Sequence, residues 1–269
     1  MFTNSISPIA VNFGTTGVKL LQLAFGERPA IVAAGTVDIP PELWADPDRS
    51  FQYVAGELPK VVKELRFKGR RVITAIPSAR THVQHMELSP GGNASLDELA
   101  RAQLQIDTGC NPNSVVARTI EIGDLHVGGS AKQEIICFAV GRDLIMRHIE
   151  LLQKCRLEVV GMDNETLAMV RAFDHLQRRA GDAEHSTLFV DIGYSGMRTA
   201  IAHGSTVRFA RFVPLGGRYL DQTIATHLKC ELEIARLKRL ELPSSPVASD
   251  APTQAFAPRE YGFGGMAIL

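Results

Sequence analysis

Residues 11–19 read VNFGTTGVK, and residues 190–198 read VDIGYSGMR. Each copy passes from Val through Asn or Asp and an apolar residue to a glycine. Two small or hydroxyl-bearing positions, a second glycine, an apolar residue and a base follow. Apolar runs on both sides of such a break predict a strand–turn–strand hairpin. Glycines at both ends of a tight hairpin expose backbone N–H groups that no strand ladder uses, and such a nest attracts phosphate oxygens. Thr15, Thr16 and Ser195 add hydroxyls, and Lys19 adds a charge just after the first turn. Asp191, at a strand end, is placed to hold the water shell of a magnesium ion. In the first copy that carboxylate is replaced by the amide of Asn12.

The echo extends outward. PIAVNF, VKLLQLAF and PAIVAAGTVDI predict three strands over residues 8–39, and HSTLFVDIG, MRTAIAHG and TVRFARFVPLG repeat that pattern over 185–216. Helices follow both meanders. A duplication of this length predicts two like lobes facing each other. In the first lobe, Phe51, Val54, Leu58, Val61, Val62 and Leu65 fall at helical spacing. Pro59 lies inside that pattern and predicts a kink or a late helix start. RRVITAIP, residues 70–77, then returns as a buried strand.

The texture changes from about residue 79. Ser95 and Glu98 form a capping box ahead of an amphipathic helix, SVVARTIEIGDLHVGG and KQEIICFAVG read as antiparallel strands, RDLIMRHIELLQKC as a helix and LEVVGMD as a strand. Strand, helix, two strands, helix, strand is the order of a split α+β module. The expected division is therefore residues 8–78 plus 161–185 as one lobe, 79–160 as an insert and 186–242 as part of a second lobe. A helix from residue 164 presents Leu167, Val170, Phe173 and Leu176 on one face. Beyond residue 242 the chain is rich in Pro, Ser and Ala without periodicity, so 243–269 is expected as a flexible tail.

Of 269 residues, 45% are hydrophobic and 22% charged, with 29 basic and 29 acidic side chains giving zero formal net charge. That balance speaks against a general electrostatic grip on nucleic acid or on an anionic membrane. The four cysteines are far apart, which fits a reducing compartment rather than a disulfide framework. No run approaches the ~18 apolar residues of a spanning helix. His82 and His85, three apart on a strand, point to opposite faces and make a poor metal pair. Cys110 lacks a neighbouring base in sequence. LQRR and RLKR read as solvated helix faces or as surfaces that meet an acidic partner.

The paired turns resemble the phosphate-1 and phosphate-2 loops of the actin-like ATPase superfamily. Together with RRVITAIPSA, LEVVGMDNETLAMVRAF and FARFVPLGGRYLDQTIATHLKCELEIARLKR, their order over residues 8–240 is similar to the PilM family of type IV pilus assembly proteins, relatives of FtsA. The resemblance implies an α/β fold of duplicated, ribonuclease H-like actin lobes, with an inserted subdomain of the kind called 1C and an incomplete second lobe. It implies that Gly14, Thr15, Thr16, Lys19, Asp191, Gly193, Tyr194 and Ser195 face ATP and Mg2+, with Asn12 at the usual Asp position and Asp191 as the metal ligand. Gly216 and Gly217 match glycines that approach the nucleotide at a helix start, and Lys238 matches a lysine of a later helix. Ala235 then stands where a nucleotide-contacting Glu is usual, and GFGG at 262–265 has no strand before it or helix after it. ATP and Mg2+ are accordingly expected to bind weakly or not at all.

The implied role is a cytoplasmic adaptor, peripheral at the inner membrane through a partner and not inserted in it. Its partners would be the cytoplasmic N-terminal segment of a PilN-like membrane protein, met near the 1A and 1C subdomains, and motor or platform components of the pilus. The other classes considered are an actin-like ATPase or sugar kinase, and an FtsA-like filament former. GFGGMAIL lacks the bases that a membrane-tethering helix of the latter would carry.

Overall fold

The computed structural model describes residues 5–89, 93–127, 130–173 and 184–242. The expected tail, and the part of the expected 164–179 helix beyond Phe173 that includes Leu176, lie outside them.

The first hairpin begins a six-stranded sheet. β1 (Ser5–Ile6) pairs briefly with β3 (Gly17–Phe25), while β2 (Ile9–Phe13), β3 and β4 (Ala30–Asp38) form the expected antiparallel meander. Alternation decides what each face sees. Ile9, Val11 and Phe13 turn into the core with Val18 and Leu20, whereas Ala10, Asn12 and Lys19 turn the other way. α1 (Pro47–Glu64) covers the core face with Val54 and Leu58. Its start is set by Asp46, whose carboxylate accepts from the amides of Asp48 and Arg49 at 3.1 and 3.0 Å. The helix therefore begins before the expected segment and runs through Pro59. β5 (Arg71–Ile76) follows, parallel to β2.

The insert then folds as β6 (His82–Leu88), α2 (Leu96–Thr108), β7 (Val115–Val127) and β8 (Ser130–Gly141), with sheet order β6-β8-β7. The capping box forms: the Ser95 hydroxyl accepts from the Glu98 amide at 3.3 Å, and Glu98 Oε2 accepts from the Ser95 amide at 2.8 Å. One face of this sheet packs Ile135, Cys137 and Ala139 against Ala100 and Leu104 of α2.

The module ends earlier than the expected residue 160. α3 (Arg142–Lys154) places Leu151 and Leu152 in the core of the first sheet, and β9 (Glu158–Asn164) pairs parallel to β5. Helix and strand thus complete the first lobe, whose strand order beyond the meander is β3-β2-β5-β9.

α4 (Glu165–Phe173) leads to the second meander: β10 (Ser186–Ile192), β11 (Met197–His203) and β12 (Thr206–Val213), in that order. The other face of the insert's sheet contributes Ile136 and Phe138 to a cluster with Ala200, Ala202, Val207 and Ala210. The Arg208 guanidinium also donates to the Ile122 carbonyl, and the rings of His85 and Phe209 lie 5.3 Å apart. The insert's sheet is therefore sandwiched between the insert's own α2 on one face and the second meander on the other.

α5 (Gly217–Leu228) begins within this first compact unit, Met1–Tyr219, and the second unit starts at Leu220. In the second, Asp221 is fully buried and accepts from Arg239 Nε at 2.5 Å, which holds α6 (Leu232–Glu241) to the body of α5.

Candidate functional site

The two hairpins close alike. The Gly14 amide donates to the Gly17 carbonyl at 2.9 Å, and the Gly193 amide donates to Gly196 at the same distance. Asn12 lies opposite Lys19, and Asp191 opposite Arg198. The second glycine of each turn has a structural cause as well. A Cβ on Gly17 would come within 2.8 Å of the Val37 carbonyl, and one on Gly196 within 2.3 Å of the Phe212 ring. In both meanders the third strand passes too close for a side chain.

The second turn also receives the first amides of the helix that follows its meander. The amides of Gly217 and Arg218 donate to the carbonyls of Gly193 and Tyr194 at 3.0 and 2.9 Å. A Cβ on Gly216 would meet three backbone atoms of that turn at 2.4–2.7 Å. Gly216 and Gly217, expected to approach a nucleotide, thus lie where the first residues of α5 meet the turn. Thr16 is exposed, and its carbonyl accepts from the Ile39 amide at 3.0 Å. Lys238 is exposed on α6 in the second unit.

The remaining expected residues divide between two recesses. A cleft of about 960 Å³ takes Asn12 and Lys19 from the first hairpin and Asp191 from the second. Its walls are mostly apolar, including Leu21, Ile73, Leu188, Val190 and Phe173. The sequence reading missed Arg198 and Glu165, which sit in this cleft. Arg198 donates to Asp191 through Nε at 3.0 Å and through Nη2, and to Glu165 through Nη1 at 2.6 Å. Glu165, at the start of α4, also accepts from the Ser78 amide at 2.7 Å. Burial works against the charge on Arg198, but the Glu165 and Asp191 carboxylates outweigh it and raise the guanidinium pKa.

Magnesium takes carboxylate and water oxygens in near-octahedral array. Here the first hairpin offers a neutral amide, and Asp191 and Glu165 are both already held by Arg198. This donor set does not fit a divalent cation. Among the described residues no group of three or more His, Cys, Asp or Glu is arranged to hold a metal.

Gly14, Thr15 and Ser195 line a second pocket, of about 330 Å³. Its walls include Trp44, Phe51 and His148, and Arg80, Arg147 and Arg218 also line it. Tyr194 reaches across from the second turn, its ring edge-on to Trp44 at 4.6 Å. Arg147 lies over the Phe51 ring at 4.8 Å and pairs with Asp48 at 2.8 Å. Burial lowers the pKa of His148 despite the bond between its Nδ1 and the Leu144 carbonyl at 2.8 Å.

The family model described as "Type IV pilus assembly protein PilM" matches residues 10–245. Among solved structures, a chain of the "PilM-PilN type IV pilus biogenesis complex" is 20% identical, with a TM-score of 0.71 over 87% of this chain and 69% of that one. The cytoplasmic domain of EpsL, an inner-membrane component of the type II secretion system of Vibrio cholerae, is 12% identical with a TM-score of 0.49, covering 84% of this chain and 78% of that one. A Bacteroides thetaiotaomicron protein of actin-like ATPase fold and unknown function is 7% identical with a TM-score of 0.46, covering 83% and 77%. No curated protein matches in sequence. The mixed α/β architecture with its duplicated meanders is the actin-like ATPase fold.

Proposed function

The chain belongs to the type IV pilus assembly protein PilM family, and on that premise we propose that it is an adaptor that grips the cytoplasmic N-terminal segment of a PilN-like inner-membrane protein. The solved relative was studied with PilN, which supports this partner class. The observation that carries the reading is the pocket of about 330 Å³ at the base of the insert. Pro77, Ala79 and Arg80 enter it from the junction between β5 and the insert, and Leu144, Arg147 and His148 from α3. Apolar walls suit the side chains of an extended segment, and guanidinium donors suit its carbonyls and carboxylates.

The adaptor works on the cytoplasmic face of the inner membrane, carried there by its partner, and passes the connection on to motor or platform components. No helix among the described residues is long and apolar enough to cross a membrane, in keeping with attachment through a partner. Any ATP that binds, weakly as expected, is in this reading a structural ligand and not a substrate. The charge that would help turn over a phosphate bond is tied up between Arg198, Asp191 and Glu165.

The test is a fluorescence-anisotropy titration of a labelled peptide from the start of the cognate membrane protein. Ala79 is exposed, so Ala79→Trp fills the pocket without entering the core. Saturable binding by the wild type, lost in Ala79→Trp and kept in Asp191→Ala, supports the reading. Binding that ignores Ala79→Trp and disappears in Asp191→Ala overturns it.

A further inference from the structure

We propose that Arg198 is the resident cation of the cleft: its guanidinium stands in for a divalent metal between the two lobes, and the cleft takes up Mg2+ or Mn2+ only when that side chain is removed. The duplication frames the argument. In both hairpins the base lies seven residues after the strand-end amide or acid, directly opposite it across the turn. In the first copy the pair is Asn12 and Lys19, a neutral amide facing an ammonium, and Lys19 has no ion-pair partner among the described residues. In the second copy the acid is kept and the base is an arginine.

That difference in base has a geometric consequence. An ammonium is a compact point charge, whereas a guanidinium presents a planar fork that can serve two carboxylates at once. Arg198 does so, bonding Asp191 on its own hairpin and Glu165 at the start of α4. The side chains of Arg198 and Glu165 are only 19% and 7% exposed, so each charge needs the other. The other charged groups of the cleft leave this arrangement in place. Asp163 pairs with Arg171, and Lys19 adds a second positive charge from the first hairpin. An entering divalent ion would meet two cations and find both candidate carboxylates taken. The same contacts link the second hairpin to the end of β5, since Glu165 in turn accepts from the Ser78 amide. What a bound metal would otherwise organise between the lobes is organised here by a covalent part of the chain.

Electron paramagnetic resonance of Mn2+ tests this on the full-length protein, with circular dichroism to confirm folding. The wild type is expected to take up no Mn2+ saturably. Arg198→Met frees two neighbouring carboxylates and is expected to gain a saturable Mn2+ signal, which the double variant Arg198→Met/Asp191→Asn loses. Folded Arg198→Met without Mn2+ uptake overturns the proposal, as does saturable uptake by the wild type that Asp191→Asn abolishes. If Arg198→Met fails to fold, the comparison of wild type with Asp191→Asn decides: no saturable uptake by either supports the proposal.

Discussion

His148 shows how one buried residue ties stability to pH. It is 4% exposed, with Phe13 edge-on at 4.8 Å, and burial holds its pKa below the ordinary 6.5. As pH falls through that ordinary value the unfolded chain gains a proton that the folded chain does not. The unfolded state then binds more protons, so stability falls with falling pH. Thermal unfolding should show this loss between about pH 7 and about pH 5, the range in which histidine changes charge. His148→Gln keeps a donor for the Leu144 carbonyl and should flatten the slope; an unchanged slope would assign the loss to other groups. Arg198 teaches a different lesson at this scale. The base ending each nine-residue copy was visible in the sequence, and counting across the turn already set Asp191 opposite Arg198. Only Lys19 was read as functional, because the second partner of Arg198, Glu165, lies 33 residues away and the fold alone brings it near.

Among the elements, the six strands of the two meanders and the helix cap at Ser95 were legible, because period-two alternation and capping chemistry are local. The edge that a strand joins is not local. LEVVGMD reads equally well as the last strand of a split α+β module and as a strand of the first lobe. Its parallel pairing with β5 depends on a crossover through the whole insert. The contact between the start of α5 and the second turn was hidden for a related reason. PLGG announced a helix start, and the groups that its amides meet, the carbonyls of Gly193 and Tyr194, lie more than twenty residues earlier. Gly216 is the tight point of that contact. Gly216→Ala would force its Cβ against three backbone atoms and should destabilise the first unit by about 1–3 kcal/mol, the usual range for overpacking. Hydrogen exchange should find the amides of Gly217 and Arg218 faster in the variant. Unchanged protection there would mean that the helix start does not depend on the turn.

Taken as a molecule, the protein keeps the paired hairpins of the actin-like fold while its charges meet each other. The insert, α4 and the second meander share continuous apolar packing through Ile136 and Phe138. The insert thus reaches its neighbours through side chains as well as through the chain at its two ends, and the pocket proposed for the peptide is framed by α1, α3 and both turns. On the proposed reading this frame stays formed whether or not a nucleotide is bound. A nucleotide can shift partner affinity only if it binds two states of the pocket differently. The decisive measurement is the affinity of the partner peptide for the wild type, taken by calorimetry first without nucleotide and then with saturating Mg2+ and ATP. The account predicts the same dissociation constant in both conditions, within about twofold. A change of about tenfold, equivalent to about 1.4 kcal/mol of coupling, would contradict it and make the protein a nucleotide-driven switch.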